Sequence, residues 1–98
     1  MLDGTYKVEV DTPFGRKPGT VALRSEGDVV YANMEMPVIG KQDVAMQADG
    51  DGFSTEGEFK VRLLGKVAYT LHGEVEGDNL HIEIDSSKGK LELDGTRV

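Results

Sequence analysis

The sequence predicts an all-β fold, a single up-and-down antiparallel β-barrel of about eight strands. The pairs Gly27-Asp28, Gly50-Asp51 and Gly77-Asp78 each separate stretches in which apolar and polar residues alternate. Gly in the first place of a two-residue loop suits the type II′ turn of a β-hairpin. No segment carries a 3.6-residue apolar period over the length of a helix. A closed barrel is the simplest way to remove two exposed edges, so residues 1–98 are predicted to form one domain.

The first two strands are predicted over Thr5 to Val10 and over Thr20 to Ser25. Closing the second strand at Gly27-Asp28 brings every inward residue opposite another inward residue, as a correct register requires. The predicted pairs are Val21 with Met34, Leu23 with Ala32, and Ser25 with Val30.

The same requirement, that inward residues lie opposite inward residues, defines the hairpins at Gly50-Asp51 and Gly77-Asp78. The first pairs Ala48 with Phe53, Met46 with Thr55, and Val44 with Gly57. The second pairs Val75 with Leu80, Gly73 with Ile82, and Leu71 with Ile84.

The fifth and sixth strands are predicted over Phe53–Leu63 and Val67–Val75, joined by a Leu64-Gly65-Lys66 loop. That loop places Phe59 against Leu71 and Val61 against Tyr69. A last strand from Lys90 to Val98 sets Leu91 and Leu93 against Ile84 and Ile82.

Composition and charge exclude several classes of function. The formal net charge of -7 favours solubility and disfavours a nucleic-acid backbone or an anionic membrane as partner. Without cysteine there is no disulfide, thiolate metal site or cysteine nucleophile. No apolar run approaches the roughly 18 residues of a membrane span, and no signal-peptide pattern opens the chain. We therefore expect a cytoplasmic protein, or a domain of something larger.

The two ends of the predicted barrel differ in character. The Gly-Asp turns share one end, and three of the four loops at the other end carry large apolar residues. Those residues are Phe14, Val38, Ile39 and Leu64. They could fold over and plug the barrel, or they could form an apolar lip around a mouth or a self-association patch.

The inward positions mix large and small residues. Gly57, Gly73 and Gly95 could bend strands or leave room for a ligand. Methionines on the inward face could line an adaptable pocket or simply fill gaps in a core. The candidate ligand-binding residues are Tyr6, Phe14, Leu23, Met34, Met36, Val38, Ile39, Met46, Phe53, Phe59, Leu64 and Tyr69.

Gly4-Thr5-Tyr6 opens the first strand and Gly95-Thr96-Arg97 ends the last one. With these motifs the chain resembles a small lipocalin-like (calycin-type) barrel, whose first strand opens on Gly-x-Trp and whose last strand ends on an Arg. The resemblance implies barrel closure by Arg97 stacked on Tyr6, and an apolar ligand that enters at the opposite end. Tyr6 in place of Trp and the short chain are departures from that family.

The segments around Thr12-Pro13-Phe14-Gly15 and Glu26-Gly27-Asp28 are also similar to small bacterial β-barrel proteins of unknown function.

Two constellations could bind metal ions. The segment from Gln47 to Glu58 matches part of an EF-hand calcium loop, but its flanks read as strands. The histidines His72 and His81 are placed on the outer face opposite Glu83 and Glu74, with Glu58 beyond His72. A zinc site there competes with simple cross-strand charge pairing, which explains the pattern more economically because an open face lacks supporting groups. We predict no metal site and no cofactor.

No arrangement of Ser, His and carboxylate supports catalysis, so we predict a protein that is not an enzyme. The favoured function is binding of a small apolar ligand, with Tyr6, Tyr69 or Arg97 supplying polar contacts. The alternative is an interaction module with a filled core. It would form a homodimer, or dock on a larger protein, through the apolar loop residues at the end opposite the Gly-Asp turns. These two functions set the partners we expect: a small apolar molecule, a second copy or a larger host protein, with no nucleic acid and no membrane.

Overall fold

The computed structural model describes residues 2–12, 15–36, 40–61, 65–87 and 89–98. The predicted contact residues Phe14, Val38, Ile39 and Leu64 lie outside the described residues, as does the side chain of Phe59. The strands are β1 (Gly4–Thr12), β2 (Gly15–Glu26), β3 (Val29–Met36), β4 (Gly40–Asp49), β5 (Gly52–Val61), β6 (Gly65–Glu76), β7 (Asn79–Ser86) and β8 (Gly89–Arg97).

The eight strands follow one another around a single closed antiparallel barrel, and β8 pairs with β1 to complete it. The predicted all-β, up-and-down architecture is confirmed. In the described part of the chain, no helix has the length and apolar character needed to cross a membrane.

The three Gly-Asp turns set the register of their hairpins. Gly27, Gly50 and Gly77 have φ values of 59°, 62° and 64°, in the left-handed region that Gly adopts most readily. All the pairs predicted around Gly27-Asp28 and Gly77-Asp78 are confirmed. Leu91 and Leu93 lie opposite Ile84 and Ile82, also as predicted.

The hairpin of β5 and β6 differs from the prediction. Phe59 pairs with Val67 and Val61 with Gly65, so the predicted pairing of Phe59 with Leu71 and of Val61 with Tyr69 is wrong. The predicted loop began too late, because Gly65 is the first residue of β6 rather than part of the turn. The register therefore shifts by an even number of residues, and inward residues remain inward.

The ladder between β4 and β5 is much shorter than predicted. It contains only Gln47 with Ser54, Ala48 with Phe53, and Asp49 with Gly52. The predicted pairs of Met46 with Thr55 and of Val44 with Gly57 lie beyond its end. The β3–β4 and β5–β6 ladders on either side continue to the far ends of their strands. The barrel wall is thus least tightly joined between β4 and β5.

The inward faces pack into one apolar core. Along β3 every second residue from Val30 to Met36 is buried, as the period of a half-buried strand requires. Tyr6, Ile82 and Leu93 are completely buried, and each large aliphatic or aromatic side chain so buried contributes about 1.5–3 kcal/mol. No polar or charged residue of the described chain is fully buried.

Two inward glycines make room for the side chain directly opposite them. A Cβ atom at Gly73 would lie 2.7 Å from the ring of Phe53, and one at Gly95 would lie 2.5 Å from Cγ1 of Val8. Phe53 pairs with Gly73 and Val8 with Gly95 across their ladders. The volume that these glycines release is therefore filled by the protein's own core.

We expect Gly73→Ala to lower the free energy of unfolding by about 1–3 kcal/mol, because the new methyl group would collide with Phe53. Gly57→Ala is the matched control in the same hairpin, since a Cβ there meets Tyr69 Oη at an ordinary 3.4 Å. The control should change stability by about 0.5 kcal/mol or less. Urea unfolding measures both, and equal losses would contradict this account of the core.

Candidate functional site

One end of the barrel is closed by Arg97 and Tyr6. The Arg97 guanidinium lies over the Tyr6 ring, 5.3 Å from its centroid, and Nη2 donates to Tyr6 Oη at 2.7 Å. Tyr6 Oη in turn donates to the carbonyl of Leu2 at 2.8 Å. Nη1 of Arg97 pairs with Asp78 at 3.3 Å, which places the contact at the Gly-Asp end of the barrel. These bonds join β1, β8 and the β6–β7 turn.

The segment before β1 covers the same end. Leu2 is 6% exposed and belongs to the core. Asp3 accepts hydrogen bonds from both the backbone N–H and the hydroxyl of Ser25, on β2. The hydroxyl bond lowers the pKa of the Asp3 carboxyl. The Gly-Asp end is therefore sealed by an apolar residue and by paired polar groups.

The structure brings most of the predicted ligand-binding residues into one interior cluster. The described members, all buried together in the core, are Tyr6, Leu23, Met34, Met36, Met46, Phe53 and Tyr69. Val44, Ala48 and Leu91 pack against this cluster while remaining half-buried. Of these three, Val44 lies on β4 beyond the end of the β4–β5 ladder.

Away from the sealed end, polar groups enter the inward face. Gln42 lies opposite Met34, and Tyr69 lies opposite Gly57 on β5 and Ser86 on β7. Burial raises the pKa of the Tyr69 phenol, so it stays protonated at neutral pH. Thr55, on β5, is also half-buried. This end of the interior therefore combines polar groups with apolar side chains.

A charged network lies on the outer face of β6, β7 and β8. His81 Nδ1 is 2.7 Å from Asp94 Oδ1, and its Nε2 is 3.5 Å from Glu83. Glu83 also lies 3.1 Å from His72 and 3.8 Å from Lys90. The bond to Asp94 raises the pKa of His81, whereas the bond to His81 lowers the pKa of Glu83.

The hypothetical metal sites receive no support from this geometry. Among the described residues, no group of three or more His, Asp or Glu side chains could hold a metal ion. The predicted pairs of His72 with Glu83 and His81 with Glu74 are correct, but Glu58 lies opposite Ala68 and not beside His72. The segment around Gly50-Asp51 forms the β4–β5 hairpin rather than a loop between helices.

Several residues of this arrangement were not predicted from the sequence. Asp3 caps the sealed end, Asp94 is the nearest partner of His81, and Gln42 faces the interior. The sequence could have predicted that Gln42 faces the interior, because Gln42 alternates along β4 in step with the inward residues Val44 and Met46. The sequence carries no such signal for Asp3, because its partner, Ser25, lies 22 residues away on another strand.

No protein-family model matches this chain, and neither the curated proteins nor the solved structures include a significant match.

We expect Arg97→Met to lower the urea midpoint of unfolding clearly, because it removes a cation from the Tyr6 ring and a donor from Tyr6 Oη. Arg24→Met is the matched control, since Arg24 lies 4.9 Å from the ring centroid of the exposed Tyr31. The control should shift the midpoint far less, because water screens that contact. Equal shifts of the midpoint would show that the Arg97–Tyr6 contact stabilises the fold no more than the exposed Arg24–Tyr31 contact does.

We expect stability to fall as the pH rises from about 6 to 8, by roughly 0.2–1 kcal/mol. His81 has a raised pKa in the folded state, so its contribution is complete below the unfolded pKa and is lost as the pH passes the folded one. His81→Gln should flatten this dependence, and urea unfolding at several pH values measures it. An unchanged slope in the variant would remove His81 as its source.

Proposed function

We propose that this protein is a lipocalin-like barrel that binds a small apolar molecule in its interior and is not an enzyme. The difference between its two ends carries the proposal. Tyr6, Arg97 and Leu2 seal the Gly-Asp end, whereas the β4–β5 ladder stops short of the other end. A ligand would therefore enter from the side opposite Arg97. That is the end at which the sequence predicts the loops that contain Phe14, Val38, Ile39 and Leu64.

The composition of the interior supports an apolar ligand. Burial of apolar surface would supply most of the affinity, and a few polar groups would orient the molecule. Met34, Met36 and Met46 line the core, and thioether side chains can repack around ligands of different shape. Tyr69, at the end away from the Arg97–Tyr6 contact, has a protonated phenol, so a ligand that reached it would meet a polar group within the core.

A filled-core interaction module is the alternative function, and one observation favours it. Phe53 and Val8 occupy the space that Gly73 and Gly95 leave, so those glycines do not create a cavity. Such a protein would act through its surface, as a homodimer or docked on a larger host protein.

Native mass spectrometry of protein purified from cells without refolding distinguishes the two. A monomer carrying a discrete adduct of small-molecule mass is the expected result. A dimer free of adduct, together with no uptake of a fluorescent fatty-acid analogue, would overturn the ligand-binding proposal in favour of the interaction module.

Val44→Trp should abolish binding of 11-(dansylamino)undecanoic acid, because the indole would occupy the interior beside the end of the β4–β5 ladder. Ala45→Trp is the matched control on the adjacent, outward-facing position and should bind as the wild type does. Fluorescence titration gives both affinities, with circular dichroism to show that each variant is folded. Wild-type affinity in Val44→Trp would place the ligand elsewhere.

A further inference from the structure

The β4–β5 seam, defined here as residues 40–46 of β4 facing residues 55–61 of β5, is the weakest joint of the barrel wall. The ladder between these strands ends at Gln47 and Ser54. Each strand stays fully paired with its other neighbour along the same stretch, β4 with β3 and β5 with β6. The strands themselves are therefore regular, and only the joint between them is missing.

The outward side chains along the seam carry like charges at matching positions. If the register of Gln47 with Ser54 continued, Asp43 would lie opposite Glu58, and Lys41 opposite Lys60. Like charges directly opposite each other on neighbouring strands repel. Lys60 already has Lys66 opposite it on β6, so closing the seam would bring a third lysine to the same place. Two successive repulsive pairs oppose closure.

Two pairs of acidic residues elsewhere in the barrel are each bridged by a shared cation. Glu9 lies opposite Asp94, but Arg16 contacts both, at 3.2 and 3.8 Å. Glu83 lies opposite Glu92, and Lys90 lies 3.8 and 3.7 Å from them. No ion pair between described residues bridges Asp43 and Glu58 in this way. The acidic pair of the seam thus lacks the cation that each of these two pairs shares.

The backbone at the seam has hydrogen-bonding groups directed into the opening. The N–H of Ala48 donates to Asp28, on the β3 side of β4. Because successive residues of a strand direct their N–H and C=O groups to opposite sides, those of Asp43 and Ala45 point toward β5. By the same alternation from Ser54, those of Glu56 and Glu58 point toward β4.

The inward side of the seam leads into the barrel. Val44 and Thr55 are half-buried there, and Gly57 has no side chain to obstruct the passage. Tyr69 lies directly opposite Gly57, with its hydroxyl 3.4 Å from where a Cβ would be. A molecule passing between β4 and β5 at this level would meet the core cluster next.

We propose that the β4–β5 seam is the entrance of the ligand, kept open by its like-charge pairs, and that it admits a single-chain amphiphile with an anionic head. This inference rests on the proposed function. The slender alkyl chain would pass between the strands beside Val44 and Gly57. The head would remain outside, where Lys41, Lys60 and Lys66 are exposed.

The charge of the head group follows from these lysines. Lys60 and Lys66 face each other across the β5–β6 ladder, and Lys41 occupies the corresponding position across the seam. None of the three has an ion pair within the described residues. A carboxylate, sulfate or phosphate placed among them would relieve their mutual repulsion and form charge-assisted hydrogen bonds.

A cross-seam disulfide tests the entrance. The chain has no cysteine, so Ala45→Cys with Glu56→Cys introduces one bond that locks the seam. Glu56→Cys with Thr70→Cys is the matched control, because it shares a substitution and locks a ladder that is already formed. Stopped-flow fluorescence with 11-(dansylamino)undecanoic acid measures ligand exchange before and after reduction.

We expect oxidation to slow exchange by about tenfold or more in the seam-locked protein, with recovery on reduction and no change in the control. Equal exchange rates in both oxidised proteins, with binding intact, would overturn the entrance and leave the proposed function standing. Failure of the wild type to bind the probe or other single-chain amphiphiles would overturn both.

Hydrogen exchange tests the seam without a disulfide. In the free protein the amides of Asp43, Ala45 and Glu58 should exchange about tenfold or more faster than the amides of β6. Glu58→Lys with Lys60→Glu leaves the net charge unchanged and makes both seam pairs attractive, so it should slow the exchange of Asp43 and Ala45. Protection in the free wild type equal to that of β6 would overturn the open seam.

Replacing Lys41, Lys60 and Lys66 with Gln tests the head group. The affinity for the dansylated acid should fall by roughly tenfold, whereas its uncharged methyl ester should bind as before. A parallel loss for acid and ester, or no loss for either, would overturn the lysine site.

Discussion

The pairing of β1 with β8 is the contact on which the rest of the structure depends. It joins Tyr6 to Arg97 and continues to Val10 and Leu93, between segments at opposite ends of the described chain. Without it the sheet would have two open edges, and its inward face would have no opposite wall to pack against. Arg97 also donates its backbone N–H to Asp78, so closure draws a Gly-Asp turn into the same contact. One joint thus makes the barrel and seals one of its ends.

Closure also limits the interior volume, and the inward side chains share that volume between facing strands. An eight-stranded barrel is only wide enough for its own side chains or one small ligand. Two inward side chains, those of Phe53 and Val8, fill volume that the opposite residues, Gly73 and Gly95, leave empty. Beyond the end of the β4–β5 ladder, the inward side chains fill the interior less completely. Val44 and Thr55 remain half-buried there. Sealing and packing are consequences of a single geometric limit.

The sequence predicted those features that depend on short-range constraints. Two-residue turns leave no freedom in register, so the pairs beside Gly27-Asp28 and Gly77-Asp78 were correct. The β5–β6 register was wrong because no two-residue turn fixes that longer connection. The end of the β4–β5 ladder was missed because the test of register compared only inward residues, and these match along the whole hairpin. Outward charge alone does not mark such an end, since Lys60 and Lys66 lie opposite each other within the intact β5–β6 ladder. The Tyr6–Arg97 contact could be expected only from the resemblance to lipocalin-like barrels, since spacing alone does not link positions so far apart.

The charges along the seam have a further consequence for the behaviour of the protein at high concentration. A strand edge with free backbone groups is a template on which a neighbouring molecule can build cross-molecular sheet. In an antiparallel pairing between the β4 edges of two copies, Lys41 would meet Lys41, or Asp43 would meet Asp43, whenever either residue sits at the symmetry axis. Charged side chains on exposed edges are a general defence against such assembly. Lys41 and Asp43 therefore disfavour those registers of sheet pairing between two copies of the protein.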